Sequence, residues 1–287
     1  MLWDVFPHEE HFGGAPTNVA LHAAALGAEA AMISAVGQDA RGAAALARLD
    51  QAGVQRTTVA ELNAYPTGVV RVRLDSTGQP SYDIAMGSAW DHIPWTPAVQ
   101  EVAHRADAVC FGSLAQRSAP SRLTIRRAVA ATRGTALRLF DVNLRQSYYD
   151  AEVLTASLEL ANALKLNDEE LPVVARLCAP RAAPAADQLR ALCDRFDLRL
   201  AALTRGAGGS MLVTPTHVYE CSAPQTVVAD TVGAGDAFTA TLLVGVLTGQ
   251  PLQEINERAN AVAAYVCSQP GATPPIPTDL QYLALRN

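Results

Sequence analysis

The sequence predicts an α/β fold, a three-layer αβα arrangement around a mainly parallel sheet, with a small β lid. Three observations carry this. Short continuous apolar runs such as ALKL and LAAL alternate with longer helical stretches, the pattern of strands buried on both faces and joined by crossover helices. One region, TGVVRVRL, instead alternates apolar and polar residues, as a half-exposed antiparallel strand does. Glycine-rich and polar motifs stand where apolar runs end, which is where open parallel sheets bind ligands.

Taken in order, residues 18–26 read as an Ala-rich helix stopped by Gly27, and 30–36 as a buried strand. Residues 43–51 form a helix closed by Gly53, since glycine readily takes the left-handed conformation after a last turn. Residues 67–74 and 81–86 alternate in polarity around the turn sequence DSTGQP, which predicts an exposed hairpin. The α/β rhythm then returns: strand 108–111, helix 121–133, strands 136–140 and 163–166, and helix 168–177. After the linker APRAAPAA come helix 187–196 and strand 200–204. Residues 210–213 and 217–221 read as a hairpin, and helices 236–247 and 252–268 end the core. The chain is thus one domain, 1–287, with a lid formed by about 5–12 and 57–90 inserted in it.

Composition removes several classes of function. The net charge is -6 with no basic run, so nucleic acid is not an expected partner. The chain has a single lysine, Lys165, in ALKLND with no glycine beside it. A P-loop, which needs G-x-x-x-x-G-K-[ST], is therefore excluded. A single lysine among many arginines is read as a compositional habit, and Lys165 is given no catalytic role. The five cysteines are odd in number and lack a C-x-x-C pair, which suits free thiols in a reducing cytoplasm. His8 and His11 have no second ligand pair for a metal. The start MLWDVFPHEE is not a signal peptide, and ATLLVGVLTG is too short to span a bilayer.

The sharpest motif is DTVGAGDAF, residues 230–238. Gly233, Ala234 and Gly235 stand where a β segment gives way to a helix, so free N–H groups there can hold an anion. Asp236 follows at the first turn, placed to accept a proton during phosphoryl transfer; a plain glycine turn with Asp236 as cap is the competing reading. In FGGAPTN, Gly13 and Gly14 allow close approach to a ligand, and Asn18 offers a donor and an acceptor that suit sugar hydroxyls. In KLNDEE, Asn167 and Glu170 are three apart and suit Mg²⁺ held through water, or equally a capping box. In DVNLR, Arg145 can meet anionic oxygens. TRGAGGS, with Gly206 and Gly209, suits a nucleotide groove or a simple hairpin turn.

The order GGAPTN, VGQDARG, FGS, DVNLR, KLNDEE, TRGAGG and DTVGAGD resembles the ribokinase-type (PfkB) carbohydrate kinases over essentially the whole chain. FGGAPTN, FDVNLR and LKLNDEEL are most similar to the fructokinase branch. The resemblance implies a ribokinase-like fold, ATP as donor with Mg²⁺, and a sugar hydroxyl as acceptor, with fructose giving fructose 6-phosphate. It implies Asp236 as catalytic base and Gly233, Ala234 and Gly235 as anion hole. Asp4, Gly13, Gly14, Asn18 and Arg145 match sugar-contacting positions. Asn167 and Glu170 match the Mg·ATP motif, and Thr204, Gly206, Gly209 and Asn260 the nucleotide groove. Asp230, Val232 and Gly271 match a monovalent cation (K⁺) site. A relative acting on 2-keto-3-deoxygluconate or another small sugar, and a non-catalytic sugar-binding relative, stay open. A homodimer through the lid is a further expectation, since exposed sheet faces favour being covered.

One departure is marked. Relatives begin with an apolar strand and a Gly-Glu pair, whereas here Met1 is followed at once by Leu2, Trp3 and Asp4. The expectation is an apolar slot in the sheet, unpaired backbone groups beside it, and an Asp4 without its anchor.

Overall fold

The structure, a computed structural model, describes residues 1–6, 8–74, 80–178 and 183–282. The chain opens with strands β1 (Leu2–Val5) and β2 (Glu10–Gly13), helix α1 (Ala15–Ala25), β3 (Ser34–Gly37), α2 (Ala40–Gln51) and β4 (Val59–Leu62). Next come β5 (Gly68–Leu74), β6 (Pro80–Ile84), α3 (Pro97–Arg105), β7 (Ala108–Phe111), α4 (Ala119–Ala131), β8 (Leu137–Asp141) and α5 (Ala151–Leu160). The remainder is β9 (Ala163–Asn167), α6 (Glu170–Cys178), α7 (Ala185–Phe196), β10 (Leu200–Thr204), β11 (Ser210–Val213), β12 (Val218–Cys221), α8 (Ala234–Leu247) and α9 (Leu252–Cys267).

The central sheet has six strands in the order β12-β11-β10-β9-β8-β7. β7 to β10 run parallel, and β11 and β12 add antiparallel at one edge. Strand parity sorts its side chains into two cores. Leu137, Leu139, Ala163, Leu200 and Ala202 point to α1, α8 and α9, while Phe140, Leu164, Leu166, Ala201 and Leu203 point to α5, α6 and α7. This is the expected three-layer αβα arrangement, and it leaves the loops at the C-terminal ends of β8, β9 and β10 free to carry ligand-binding groups.

A second sheet has four strands in the order β2-β1-β5-β6. β1 lies antiparallel to β2 and parallel to β5, and β5 turns back antiparallel along β6. The expected hairpin is thus present, although most of its turn, residues 75–79, lies outside the described residues, as does part of the APRAAPAA linker. Two expectations about this appendage are corrected. It begins at Leu2 rather than at about residue 5, because β1 supplies an inner strand. Residues 59–62 do not belong to its sheet, because β4 pairs with β3 in a separate two-stranded sheet.

The parallel strands are divided between separate sheets. β7 ends the six-stranded sheet, β3 stands in its own pair, and α1 covers both. Ala23 of α1 packs with the cluster holding Ala108 and Cys110 and also with the one holding Met32 and Val36. Asp4, in contrast, does not lose its anchor: it sits in β1 between His11 and Val70.

Helices α3 and α5 were not expected from apolar patterning. Both carry N-cap signals: Thr96 Oγ1 accepts from Val99 N at 3.2 Å, and Asp150 Oδ1 accepts from Val153 N at 2.8 Å. α1 begins at Ala15, three residues before the expected start, with Pro16 in its first turn, where proline's lost N–H costs nothing. The buried strand expected over 30–36 is shorter, with β3 starting at Ser34.

Candidate active site

The site forms where the head of α8 meets the ends of β8 and β9, the start of α1, and β1. Gly233 caps α8 with φ +82°, and a Cβ there would lie 2.1 Å from Ala272 O. Only glycine fits both demands. The α8 N-terminus has no side-chain cap, and Gly235 N and Asp236 N have no acceptor in the preceding turn. These two N–H groups lie in the first turn, whose donors are left without intrahelical acceptors. They can receive an anion at the positive end of the helix, whereas Ala234 N, expected in the anion hole, donates to Thr231 O at 3.4 Å.

Asp236 stands beside them. Asn18 Nδ2 donates to Asp236 Oδ2 at 2.8 Å. Burial, reinforced by the nearby Asp141 carboxylate, pushes the Asp236 pKa up to about 7, against the opposing pull of Asn18, Lys165 and Arg145. A carboxylate held near neutrality is suited to exchange a proton with a hydroxyl.

Asn18 has a second, unfilled capacity. Its Oδ1 is buried with no hydrogen-bond partner among the described residues. A Cβ on Gly13 would lie 3.4 Å from that oxygen and 3.9 Å from Asp4 Oδ2. Asp4, Gly13 and Asn18 therefore converge on one place, with an orphaned acceptor that a ligand hydroxyl can satisfy. Burial raises the Asp4 pKa, with His11 and Arg145 acting against it. Gly14, at φ +104°, closes over Leu2 and lets the chain enter α1. Arg145 is exposed after β8, its Nη1 donating to Leu144 O at 2.9 Å, and its charge is felt by both Asp4 and Asp236.

Asn167 and Glu170 form the reciprocal box: Glu170 N donates to Asn167 Oδ1 at 2.8 Å, and Asn167 N to Glu170 Oε2 at 2.9 Å. Glu170 Oε1 also accepts from Leu144 N at 2.8 Å, which ties the DVNLR segment to α6. Each carboxylate oxygen thus holds one backbone N–H and keeps one lone pair. That donor set fits a magnesium ion held through water, not one ligated directly by several side chains. Among the described residues no cluster of three His, Cys, Asp or Glu side chains is arranged to hold a metal.

The residues expected for the nucleotide groove divide. Thr204 ends β10, and Gly206, at φ +52°, faces open space. Gly209 has a packing reason for being glycine, since a Cβ would meet Cys221 O at 2.0 Å. Asn260 is buried, its Nδ2 donating to Ser210 Oγ at 2.6 Å and to Asn256 O at 2.8 Å, so that nitrogen ties α9 to β11. Asp230, Val232 and Gly271 do come together: Asp230 accepts from Val232 N at 3.0 Å and from Gly271 N at 3.2 Å.

Three residues that sequence reasoning passed over lie under this site. Lys165 and Asp141 are register partners on β9 and β8, their side chains 3.1 Å apart and buried. Thr239 Oγ1 of α8 lies 2.8 Å from the other Asp141 oxygen. Burial works against the Lys165 charge, but Asp141, Asp236 and Glu170 more than offset this and hold its pKa above the ordinary value. The available signal was a lone lysine inside an apolar strand, where an unpaired charge is costly.

Known proteins resemble this chain in sequence and in fold. A protein of Pyrococcus horikoshii described as an uncharacterized sugar kinase is 30% identical over 279 residues, covering 94% of this chain and 85% of that one. Its structure in complex with ATP superposes with a TM-score of 0.83, at 29% identity over 99% of this chain and 96% of that one. A fructokinase of Escherichia coli is 30% identical over 81% of this chain and 76% of its own length. Aminoimidazole riboside kinase from Salmonella enterica, solved with aminoimidazole riboside and an ATP analog, gives a TM-score of 0.80 at 25% identity, over 96% of this chain and 94% of that one. The family model for pfkB carbohydrate kinases matches residues 6–279. From these residues and matches, the chain belongs to the pfkB family of carbohydrate kinases.

Proposed function

We propose that this kinase transfers the γ-phosphoryl group of ATP to the primary hydroxyl of a small sugar, with fructose to fructose 6-phosphate as the leading reaction. The observation that carries the reading is the 2.8 Å contact of Asn18 with Asp236, beside a buried Asn18 oxygen that lacks a partner. Asp4 and Asn18 bind sugar hydroxyls next to Gly13. Asn18 orients Asp236, which accepts the proton of the attacking hydroxyl. The free N–H groups of Gly235 and Asp236 neutralise charge on the transferring phosphoryl. Asn167 and Glu170 would hold magnesium through water, and the bound ion supplies further charge neutralisation across the phosphates. Thr204 and Gly206 line the groove for the nucleotide. The Asp230, Val232 and Gly271 trio suits a K⁺ ion, which potassium dependence of the rate would test. The names of the relatives, fructokinase and ATP-bound sugar kinase, support the donor and the acceptor class.

A second reading is 2-keto-3-deoxygluconate or another small sugar. The exposed Arg145 guanidinium beside Asp4 and Asp236 favours it, because a substrate carboxylate would find a partner there. A sugar-binding protein without catalysis is the third reading, and the complete head of α8 weighs against it. An ADP-release panel with fructose, 2-keto-3-deoxygluconate and ribosides separates these. Fructose giving the highest kcat/KM supports the leading reaction. Fructose binding without ADP release, measured by calorimetry, sinks it. Asp236→Asn lowers turnover about 10²–10⁴-fold while nucleotide binding persists; turnover within tenfold of wild type removes Asp236 as the base.

Tyr82 and Met86, 54% and 66% exposed on and just after β6, support a homodimer joined through the four-stranded sheet. Sedimentation of wild type and Tyr82→Asp reads it, with a shift to monomer expected in the variant. Five unpaired cysteines suit a reducing cytoplasm, and no helix among the described residues is long and apolar enough to cross a membrane.

A further inference from the structure

We propose that Lys165 is an electrostatic positioning residue of the phosphoryl-transfer site, its ammonium fixed by Asp141 directly beneath the head of α8. The proposal rests on the reading of Asp236 as base and goes beyond it.

The geometry begins with strand parity. Asp141 and Lys165 stand opposite each other on β8 and β9, both on the face that α8 covers. The Lys165 ammonium lies 3.1 Å from Asp141 Oδ1. Thr239, one turn into α8, lies 2.8 Å from Asp141 Oδ2 and 2.9 Å from Gly235 O. The three side chains therefore join two strands to the first turn of the helix. The ammonium also approaches the helix backbone closely: a Cβ on Gly235 would lie 3.2 Å from Lys165 Nζ. Gly235 is thus small on two counts, for an anion from outside and for a lysine from beneath.

The pairing has an energetic logic. Lys165 is 6% exposed and Asp141 4%. An apolar pair of the same volume at such a place is often neutral or stabilising. A buried charge pair with no stability advantage calls for another role, and the positions suggest one. A fixed positive charge under the anion hole favours negative charge that develops above it, without reorganisation during the reaction. The groups facing Asp236 are Asp141 from β8, Lys165 from β9, Arg145 after β8, Asn18 from α1 and the Cys110 thiol from β7. Burial holds the Cys110 thiol well above its usual pKa, so it contributes no charge. Lys165 and Asp141 act on Asp236 with opposite sign, and that opposition is the testable feature.

The experiment is a carboxyl ¹³C NMR titration of the unliganded protein labelled at aspartate, with Asp236→Asn identifying the Asp236 signal. Lys165→Met removes the positive charge, and the Asp236 midpoint moves up by about one pH unit; Asp141→Asn removes the negative one, and it moves down. In kinetics at pH 8, Lys165→Met lowers kcat about tenfold or more with the sugar KM within about threefold. A purely structural role would not shift the two midpoints in opposite directions. Midpoints that stay within about 0.3 unit of wild type, or that move the same way, overturn the proposal. So does an unchanged kcat in Lys165→Met. If Lys165→Met does not fold because Asp141 is left without its cation, Asp141→Asn/Lys165→Met against Asp141→Asn reads the same charge, and an unmoved midpoint there overturns the proposal equally. The titration needs neither sugar nor nucleotide. An active Asp236→Asn enzyme would therefore discard Asp236 as base without deciding whether Lys165 sets its field.

Discussion

Asp236 shows how a single side chain can carry opposite demands. Its pKa is raised in the folded protein from 3.8 to about 7. A carboxyl group raised in this way binds its proton more tightly folded than unfolded. Its contribution to stability is therefore complete below about pH 4 and is lost as pH rises through 7. Activity runs the other way, because the base must be deprotonated. The expected kcat/KM profile for wild type rises with pH through a midpoint near 7, as stopped-time ADP assays across pH 5.5–9 would read. Asp236→Asn keeps the acceptor oxygen for Asn18 but removes the buried charge. Its Tm should exceed that of wild type by about 2 °C or more at pH 8.5, and the gap should close towards pH 5. Calorimetry at the two pH values checks this, and a gap that widens on acidification would contradict the raised pKa. Asn18→Leu, which removes both the sugar acceptor and the brace on Asp236, should lower kcat/KM by more than tenfold, measured with saturating ATP.

At the scale of elements, the site depends on how α8 starts. Its first residues are held by Gly233 against Ala272, and His22 of α1 lies 2.9 Å from the same carbonyl. Burial lowers the His22 pKa, against the pull of that carbonyl. One loop thus braces both helices that form the site. Gly233→Ala combines a left-handed φ with a backbone clash, so a loss of about 1–3 kcal/mol and a Tm lower by about 3–8 °C are expected. Differential scanning calorimetry reads it, and an unchanged Tm would mean that the 272 loop yields freely. Glu170 plays the corresponding part for the DVNLR segment, joining Leu144 to the start of α6. The motifs at 167–170 and 141–145, separate in sequence, form one unit through this carboxylate.

For the whole molecule, the division of the parallel sheet is the main consequence of the order of strands. β8, β9 and β10 have neighbours on both sides, whereas β7 and β3 each have one. An edge backbone opens at lower free energy than a central one. Amide hydrogen exchange should therefore be fastest in β7 and β3 and slowest in β9, and protection of β7 equal to that of β9 would show that its free edge is sealed in solution. The four-stranded sheet is attached to the core at Asp39, whose carboxylate accepts from Gly42 N, Thr67 N and Thr67 Oγ1 at 2.7–2.8 Å. A second tether is the buried Arg117–Asp91 pair at 2.8 Å. These hold the chain just before β5 and just after β6, the latter an edge strand of that sheet.

Residue patterns close to each other in sequence were enough for much of this. Apolar runs of strand length, the Gly233–Asp236 turn, the Asn167–Glu170 spacing and the hairpin alternation are local properties, and local backbone preference sets them. Helix α3 escaped because its apolar face is thin, and α5 escaped although Val153, Leu154 and Leu158 fill one side of it; Thr96 and Asp150 signalled both starts. The lid boundary and the partner of β4 could not be read, because strand pairing is chosen by tertiary packing and not by a strand's own residues. Lys165 marks the clearest divide. In the sequence it is one lysine among arginines, with nothing nearby to give it a task. Only the register of β9 on β8, and the helix laid over both, brings its charge to Asp141 and beneath Gly235, since electrostatic work depends on distances that chain separation does not set.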